Sequence, residues 1–235
     1  MRIGLLSDIH ANRVALETVL DDMPAVDRLI CAGDVIGYNP HPEPCVAAVR
    51  GRSGLLADRG VDVPTPLPTV QGNHDRTVET PERYRHNRMA HAGLELARER
   101  LDDGDRAWLA DLPEQRYRHD GRVRVVHSHP TETDRYVRPG EFPLLADHFG
   151  DEAVLVLGHT HVQHHEHVEG TLVVNPGSVG QPRDRDPRAA YAVLDLDGEP
   201  TVTDHRVPYD VDRVRADIEA AGLPDRTGAR LERGE

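Results

Sequence analysis

The chain opens on Ile3-Gly-Leu-Leu-Ser-Asp8-Ile-His10 and, past one helical stretch, reads Leu29-Ile-Cys-Ala-Gly-Asp34. Both are short apolar runs rich in the branched residues that suit strands. Between them, Asn12–Asp22 sets Val14, Leu16, Val19 and Leu20 at helical spacing. A strand, a helix and a second strand in that order predict parallel pairing and an α/β fold. Each run also ends on chemistry: Asp8-x-His10 after the first, Gly33-Asp34 after the second. Ligands of open α/β sheets bind beyond the carboxyl ends of the strands, so these two stretches indicate the fold class and the place of a site together.

The pattern repeats. Thr69–Gln71 runs into Gly72-Asn73-His74-Asp75. Val123–His127 ends on its own histidine. Val154–Leu157 runs into Gly158-His159-Thr160-His161, and Leu172–Val174 into Asn175-Pro-Gly-Ser178. Ala190–Leu194 is a further strand and Val202–Val207 a weaker one. Pro44–Arg50, His91–Leu101, Asp105–Leu112 and Asp210–Ala221 carry helical patterns. The strand-rich second half predicts a second sheet packed on the first. Gly51–Pro68, broken by glycine and proline, reads as an irregular loop. It and Thr131–Pro139 are the segments expected to set specificity. Residues 1–224 read as one domain, and Asp225–Glu235 as a mobile polar C-terminal tail.

Composition narrows the function. The chain has 235 residues and a net charge of −13, and its 28 basic residues are all arginine. Such an acidic, lysine-free surface suits a salt-adapted cytoplasm, so a halophilic source is expected. It disfavours broad nucleic-acid binding, which needs a basic face. No apolar run is long enough to span a bilayer, and the N-terminus enters a strand at once instead of forming a signal peptide, so a cytoplasmic protein is expected. Aromatic residues make up only 4%, leaving the core to Val, Leu, Ile and Ala. Cys31 and Cys45 offer neither a disulfide framework nor a thiolate zinc site.

The residues at the strand ends are imidazoles, carboxylates and one amide. That set suits Mn, Fe, Zn or Ni; it is too nitrogen-rich for Ca or Mg alone and lacks the thiolates of copper(I) sites. Asp-x-His and His-x-His each put two side chains on one face of an extended segment. Taken singly, Asp8-x-His10 is a weak signal, Asp34 is also a plausible helix cap, and Gly-Asn-His-Asp is also a turn. Their ordered recurrence after six strands is what points to a metal site. His127 and His129 compete for one position, and His127 is favoured because it ends the strand directly. His164, His165 and His167 are expected on a strand or turn leading away.

The ordered set D-x-H, G-D, G-N-H-D, a single His and G-H-x-H resembles the calcineurin-like metallophosphoesterase superfamily. Gly33-Asp34-Val-Ile-Gly-Tyr38-Asn-Pro40 and Asn175 through Arg183 resemble its small prokaryotic YfcE-like phosphodiesterase branch. The resemblance covers roughly residues 1–207. It implies a four-layer α/β/β/α sandwich of two mixed sheets flanked by helices, and a hydrolase with two divalent metal ions, Mn by preference. On it, Asp8, His10 and His161 hold one ion, Asn73, His127 and His159 the other, and Asp34 bridges them. His74 becomes the acid at the leaving oxygen. Arg76, His129 and Arg183 are candidate substrate contacts. A metal-bridging hydroxide would attack a small phosphate ester or nucleotide. Related Ser/Thr protein phosphatases carry an Asp three residues after the G-D aspartate to orient this histidine and an Arg two further on to grip phosphate; Gly37 and Asn39 stand in those places here, which disfavours a protein phosphatase. The alternative is a non-catalytic metal-binding scaffold of the same fold. Neither a membrane nor a nucleic-acid partner is expected, and a homo-oligomer is left open.

Overall fold

The computed structural model describes residues 1–235. One sheet has the order β2-β1-β8-β9, from β1 (Arg2–Leu6), β2 (Arg28–Cys31), β8 (Ala189–Asp195) and β9 (Thr201–Val207). The other runs β3-β4-β5-β7-β6, from β3 (Gln115–Arg118), β4 (Val123–Val126), β5 (Val154–Val156), β6 (His164–Val168) and β7 (Thr171–Asn175). Both are mixed. β1 lies parallel to β2 and antiparallel to β8, and β4, β5 and β7 run parallel between two antiparallel edges.

Side chains alternate across a strand, and that alternation builds the layers. Ile3, Leu5, Ile30, Ala32, Val154, Val156, Leu172, Val174, Ala192 and Leu194 fill the space between the sheets. Their neighbours Leu6, Leu29, Cys31, Tyr191 and Val193 point the other way. There they meet α1 (Arg13–Asp22), α2 (Pro42–Val49), α5 (Arg88–Arg100) and α6 (Asp103–Ala110). On the far face, Val126, Leu155, Leu157 and Val173 pack on Phe142 and Leu145 of a 3-10 helix, Pro139–His148. The expected α/β/β/α order holds, with a fourth layer that is 3-10 helix. Pro143 lies inside that segment, and a proline interrupts α-helical hydrogen bonding.

Several segments differ from expectation. Thr69–Gln71 forms only a single parallel bridge, Cys31 to Thr69. Pro66 and Pro68 just before it have no N–H to donate to a ladder. Gly51–Pro68 contains a short helix, α3 (Leu55–Asp58). Gly72-Asn73-His74-Asp75 opens another, α4 (Asn73–Arg76). Edge strand β3 escaped the reading because it carries charge where central strands carry valine. The polar tail is a helix, α8 (Asp225–Leu231), which packs on α7 (Val211–Ala220). Leu231 is fully buried with Val14, Val214 and Ile218. A single apolar residue gives no periodic signal, yet it is enough to seat two turns of helix. No helix is long and apolar enough to cross a membrane.

Candidate metal centre

The ends of β1, β2, β4, β5 and β7 converge at one edge of the sandwich. The chain must leave each strand sharply there, and it does so through the left-handed region. Asp8, His10, Asp34, His159 and His161 all have φ between 47° and 67°, a conformation that costs a side-chain-bearing residue about 1 kcal/mol or more. Neighbouring groups impose it. Asp75, buried under the loop, accepts from the backbone N–H groups of Gly72 (3.0 Å) and Asp34 (2.8 Å) on one oxygen and Val35 (2.9 Å) on the other. Burial, then the Asp34 charge, pushes the Asp75 carboxyl up to about 7. The Asn175-Pro-Gly-Ser178 segment braces the other side. Asn175 donates to the Gly158 carbonyl (2.7 Å), and Ser178 donates to that of Asp8 (2.8 Å).

Asp8, His10 and His161 form one buried cluster, and Asp34, His127 and His159 another. Backbone carbonyls key the rings. His10 Nδ1 donates to the Ile36 carbonyl (2.9 Å), His127 Nδ1 to that of Ala32 (2.7 Å) and His161 Nδ1 to that of Gln181 (2.5 Å). A carbonyl only accepts, so each Nδ1 holds a proton and each Nε2 turns its lone pair inward, the tautomer of a metal-ligating histidine. His159 is keyed the other way, its Nε2 donating to the Asp134 carbonyl at 3.0 Å.

Electron pairs therefore crowd the centre. His10 Nε2 and His161 Nε2 face each other at 3.1 Å. Asp8 Oδ1 lies 3.2 Å from the second and 3.6 Å from the first, buried and with no hydrogen-bond partner. In the other cluster, His127 Nε2 is 3.2 Å from Asn73 Oδ1 and 3.4 Å from Asp34 Oδ2. That same Asp34 oxygen is 3.6 Å from His10 Nε2, so it faces both clusters. Burial raises the Asp34 carboxyl, but His127, His74 and His10 outweigh it and hold it well below the ordinary carboxylate range. Burial works against charge on His127 too, yet Asp34 and Asp8 raise it to about 10, so without a cation its Nε2 also carries a proton, which a metal ion would have to displace. Each cluster fits a divalent cation: inward lone pairs, an orphaned carboxylate oxygen and an amide oxygen, all fixed from behind.

His74 sits at the lip. Its backbone N–H donates to Asp34 Oδ1 (2.8 Å), and its ring packs among His10, Tyr38 and Tyr84. Gly72 must be glycine, since a Cβ there would lie 2.0 Å from Asp34 Oδ1. Gly37 is glycine for a related reason: φ is +97° and a Cβ would meet His74 Nδ1 at 2.4 Å. The carboxylate that larger relatives place at this point has no room. Asn39 instead donates to the His10 carbonyl at 2.9 Å, buttressing the first strand end. Burial above all pushes His74 well below the ordinary histidine value, and its buried Nδ1 has no hydrogen-bond partner.

Other expected contacts divide. Arg183 lines the cleft, donating to Tyr38 Oη (3.2 Å) and Gln181 Oε1 (2.7 Å). Arg76 is turned aside into an exposed pair with Asp134 at 2.6 Å. His129 accepts from the N–H groups of Thr131 (3.3 Å) and Glu132 (3.2 Å), bracing its loop. Both line a separate pocket of about 100 Å³ on the far side of His127. His164 and His165 lie on edge strand β6, partly exposed and outside both clusters. Of the two loops expected to set specificity, Thr131–Pro139 supplies Asp134 and Tyr136 to the cleft and Gly51–Pro68 supplies nothing. The reading missed the aromatic wall of Tyr38, Tyr84 and Tyr136, with Tyr136 stacked on His159 at 4.1 Å. The chain has only 6 tyrosines, and nothing in their spacing announces that three share one cleft.

Comparison with known proteins bears on the same residues. Residues 1–199 match the model of a calcineurin-like phosphoesterase superfamily domain. An uncharacterised protein of Methanocaldococcus jannaschii is 28% identical over 250 positions, covering 97% of this chain and 96% of the relative. The phosphodiesterase YfcE of Escherichia coli is 27% identical over 202 positions, 84% of this chain and 89% of YfcE. A crystal structure of a metallophosphoesterase from Sphaerobacter thermophilus matches with a TM-score of 0.82 at 33% identity, covering 100% of both chains.

Proposed function

The chain belongs to the calcineurin-like phosphoesterase superfamily, and from that premise we propose that it is a two-metal phosphodiesterase acting on small phosphate esters or nucleotides. The observation that carries the reading is Asp34 Oδ2, which faces His10 at 3.6 Å and His127 at 3.4 Å and so stands between the two clusters. Asp8, His10 and His161 would hold one ion. Asn73, His127 and His159 would hold the other, and Asp34 would serve both. When bound, two divalent cations neutralise the anionic oxygens of a phosphate ester and acidify a water into a nucleophile.

The chain's own groups do the rest. The ring-to-carbonyl bonds keep the donors from rotating away, so little reorganisation is left to the bound state. His74, adjoining ligand Asn73 and hydrogen-bonded to Asp34, presents an N–H at the lip, where the leaving oxygen develops charge. The tyrosine wall narrows access to the centre. Manganese is the metal expected first, on the mixed nitrogen and oxygen donor set.

The test is hydrolysis of bis-p-nitrophenyl phosphate with added Mn, at molar salt to suit the acidic, lysine-free surface. Asp34→Ala and His161→Ala are expected to abolish it in a folded protein. Near-full activity of either variant at saturating Mn would refute the two-metal reading. His74→Ala is expected to cut turnover far more than Mn content; equal loss of both would reassign His74 to structure. A chain that binds Mn yet hydrolyses no ester would revive the scaffold alternative.

A further inference from the structure

The cleft continues past its aromatic wall. His86 and Asn87 line it, and they also line a wider groove of about 820 Å³ whose other walls are Arg88, Met89, Pro224, Asp225 and Arg226. Pro224, Asp225 and Arg226 come from the start of α8, which seats against the site. Arg185 N donates to the Gly234 carbonyl (2.9 Å), tying the last residues to the loop that carries Arg183. Arg226 and Arg230 are four residues apart on that helix, hence neighbours on one face.

Four arginines gather here: Arg183 in the cleft, Arg88 and Arg226 in the groove, and Arg230 one turn along α8 from Arg226. None of the four makes an ion pair, in a chain with 41 acidic residues. Arg183 Nε is buried with no partner at all. Arg230 is half-buried, and burial, then the Arg183 charge, lowers its pKa. Two carboxylates stand near them: Asp225 on the groove wall itself, and Glu235, which is engaged by Arg233 at 2.9 Å.

We propose that this groove is an anion subsite, so that the substrate is a small organic phosphate ester carrying a further phosphate group beyond the scissile one. Arg183 and Arg230 would take the near phosphate and Arg226 and Arg88 the far one, by the charge-assisted bonds that guanidiniums make with phosphate oxygens. Water adds at the scissile phosphorus, the ester oxygen leaves with a proton, and the second phosphate is unchanged. The inference rests on the hydrolytic reading of the metal centre.

The experiment compares tripolyphosphate with orthophosphate as inhibitors of bis-p-nitrophenyl phosphate hydrolysis, with free Mn held constant. Tripolyphosphate is expected to inhibit the native chain at least about 10-fold more tightly. Arg88→Gln with Arg226→Gln is expected to remove most of that advantage, while leaving orthophosphate inhibition and kcat/KM for bis-p-nitrophenyl phosphate within about twofold. Calorimetry of the metal-free protein with tripolyphosphate gives a second readout, with weaker binding expected in the double variant. Equal inhibition by the two anions, or an unchanged preference in the folded double variant, overturns the proposal. So does competition by a single-stranded oligonucleotide stronger than that by tripolyphosphate, which would make the groove a nucleic-acid track. If no metal supports hydrolysis, the activity proposed for the centre fails; the calorimetry still decides the groove.

Discussion

The floor of the cleft and its rim are built by opposite rules. On the floor, Asp8, His10, Asp34, His127, His159 and His161 follow directly from strands in two packed sheets, and every ring is keyed by a backbone carbonyl. On the rim, Tyr84 comes from a 3-10 turn, Tyr136 from a loop, and Arg226 and Arg230 from the C-terminal helix. Chemistry that must be placed to a fraction of an ångström sits on rigid supports. Contacts that choose among substrates sit where the chain varies most easily.

That contrast can be broken, most violently at the floor. Asp34→Ala removes the oxygen facing both clusters, and phosphodiester turnover should fall by about 10³-fold or more; a steady-state assay at saturating Mn checks this. Gly37→Ala tests the floor without touching a ligand. Its Cβ would enter the space of His74 Nδ1 at a φ of +97°, so turnover should drop on the order of 10²-fold. Metal content by elemental analysis should stay near native. If turnover survives, His74 has more freedom than the packing allows.

How far the sequence foretold this molecule follows the same division. The floor was legible because each proposed ligand lies within a few residues of the end of an apolar run, and period-two burial makes those runs visible. His127 clusters with Asp34 and His159, whereas His129 turns back to brace its own loop. The rim was illegible because its residues meet only in three dimensions. Tyr38, Tyr84 and Tyr136 lie far apart in the chain with no common spacing. Asp225–Glu235 read as a mobile tail because nothing local reveals that Leu231 finds a closed pocket. Arg76 looked like a substrate contact from its place in the motif, and only the fold reveals Asp134 beside it.

Two milder changes sharpen the rim. Leu231→Ala should cost about 2–4 kcal/mol, by deletion of a fully buried side chain. Chemical denaturation would measure it, and the bis-p-nitrophenyl phosphate rate below the transition should be nearly native. Loss of that rate in step with stability would mean that α8 supports the floor as well. Smallest of all, Arg76→Ala should change kcat/KM by less than about threefold, because an exposed ion pair contributes little. A larger loss would return Arg76 to the substrate.

The left-handed backbone at five of the seven proposed ligands carries a consequence for how such a centre persists. Glycine would relieve that backbone cost at each position but lose the buried hydrogen bonds of the replaced side chain, such as His161 Nδ1 to the Gln181 carbonyl. In metal-free solution His161→Gly should therefore melt above His161→Ala, in which the backbone cost stays without the ring. With Mn present the native chain should lead both by a wider margin, because it gains the binding free energy of the ions. Heat tolerance in this protein would then depend on metal supply, and starvation for the metal would be felt first as lost protein rather than lost catalysis.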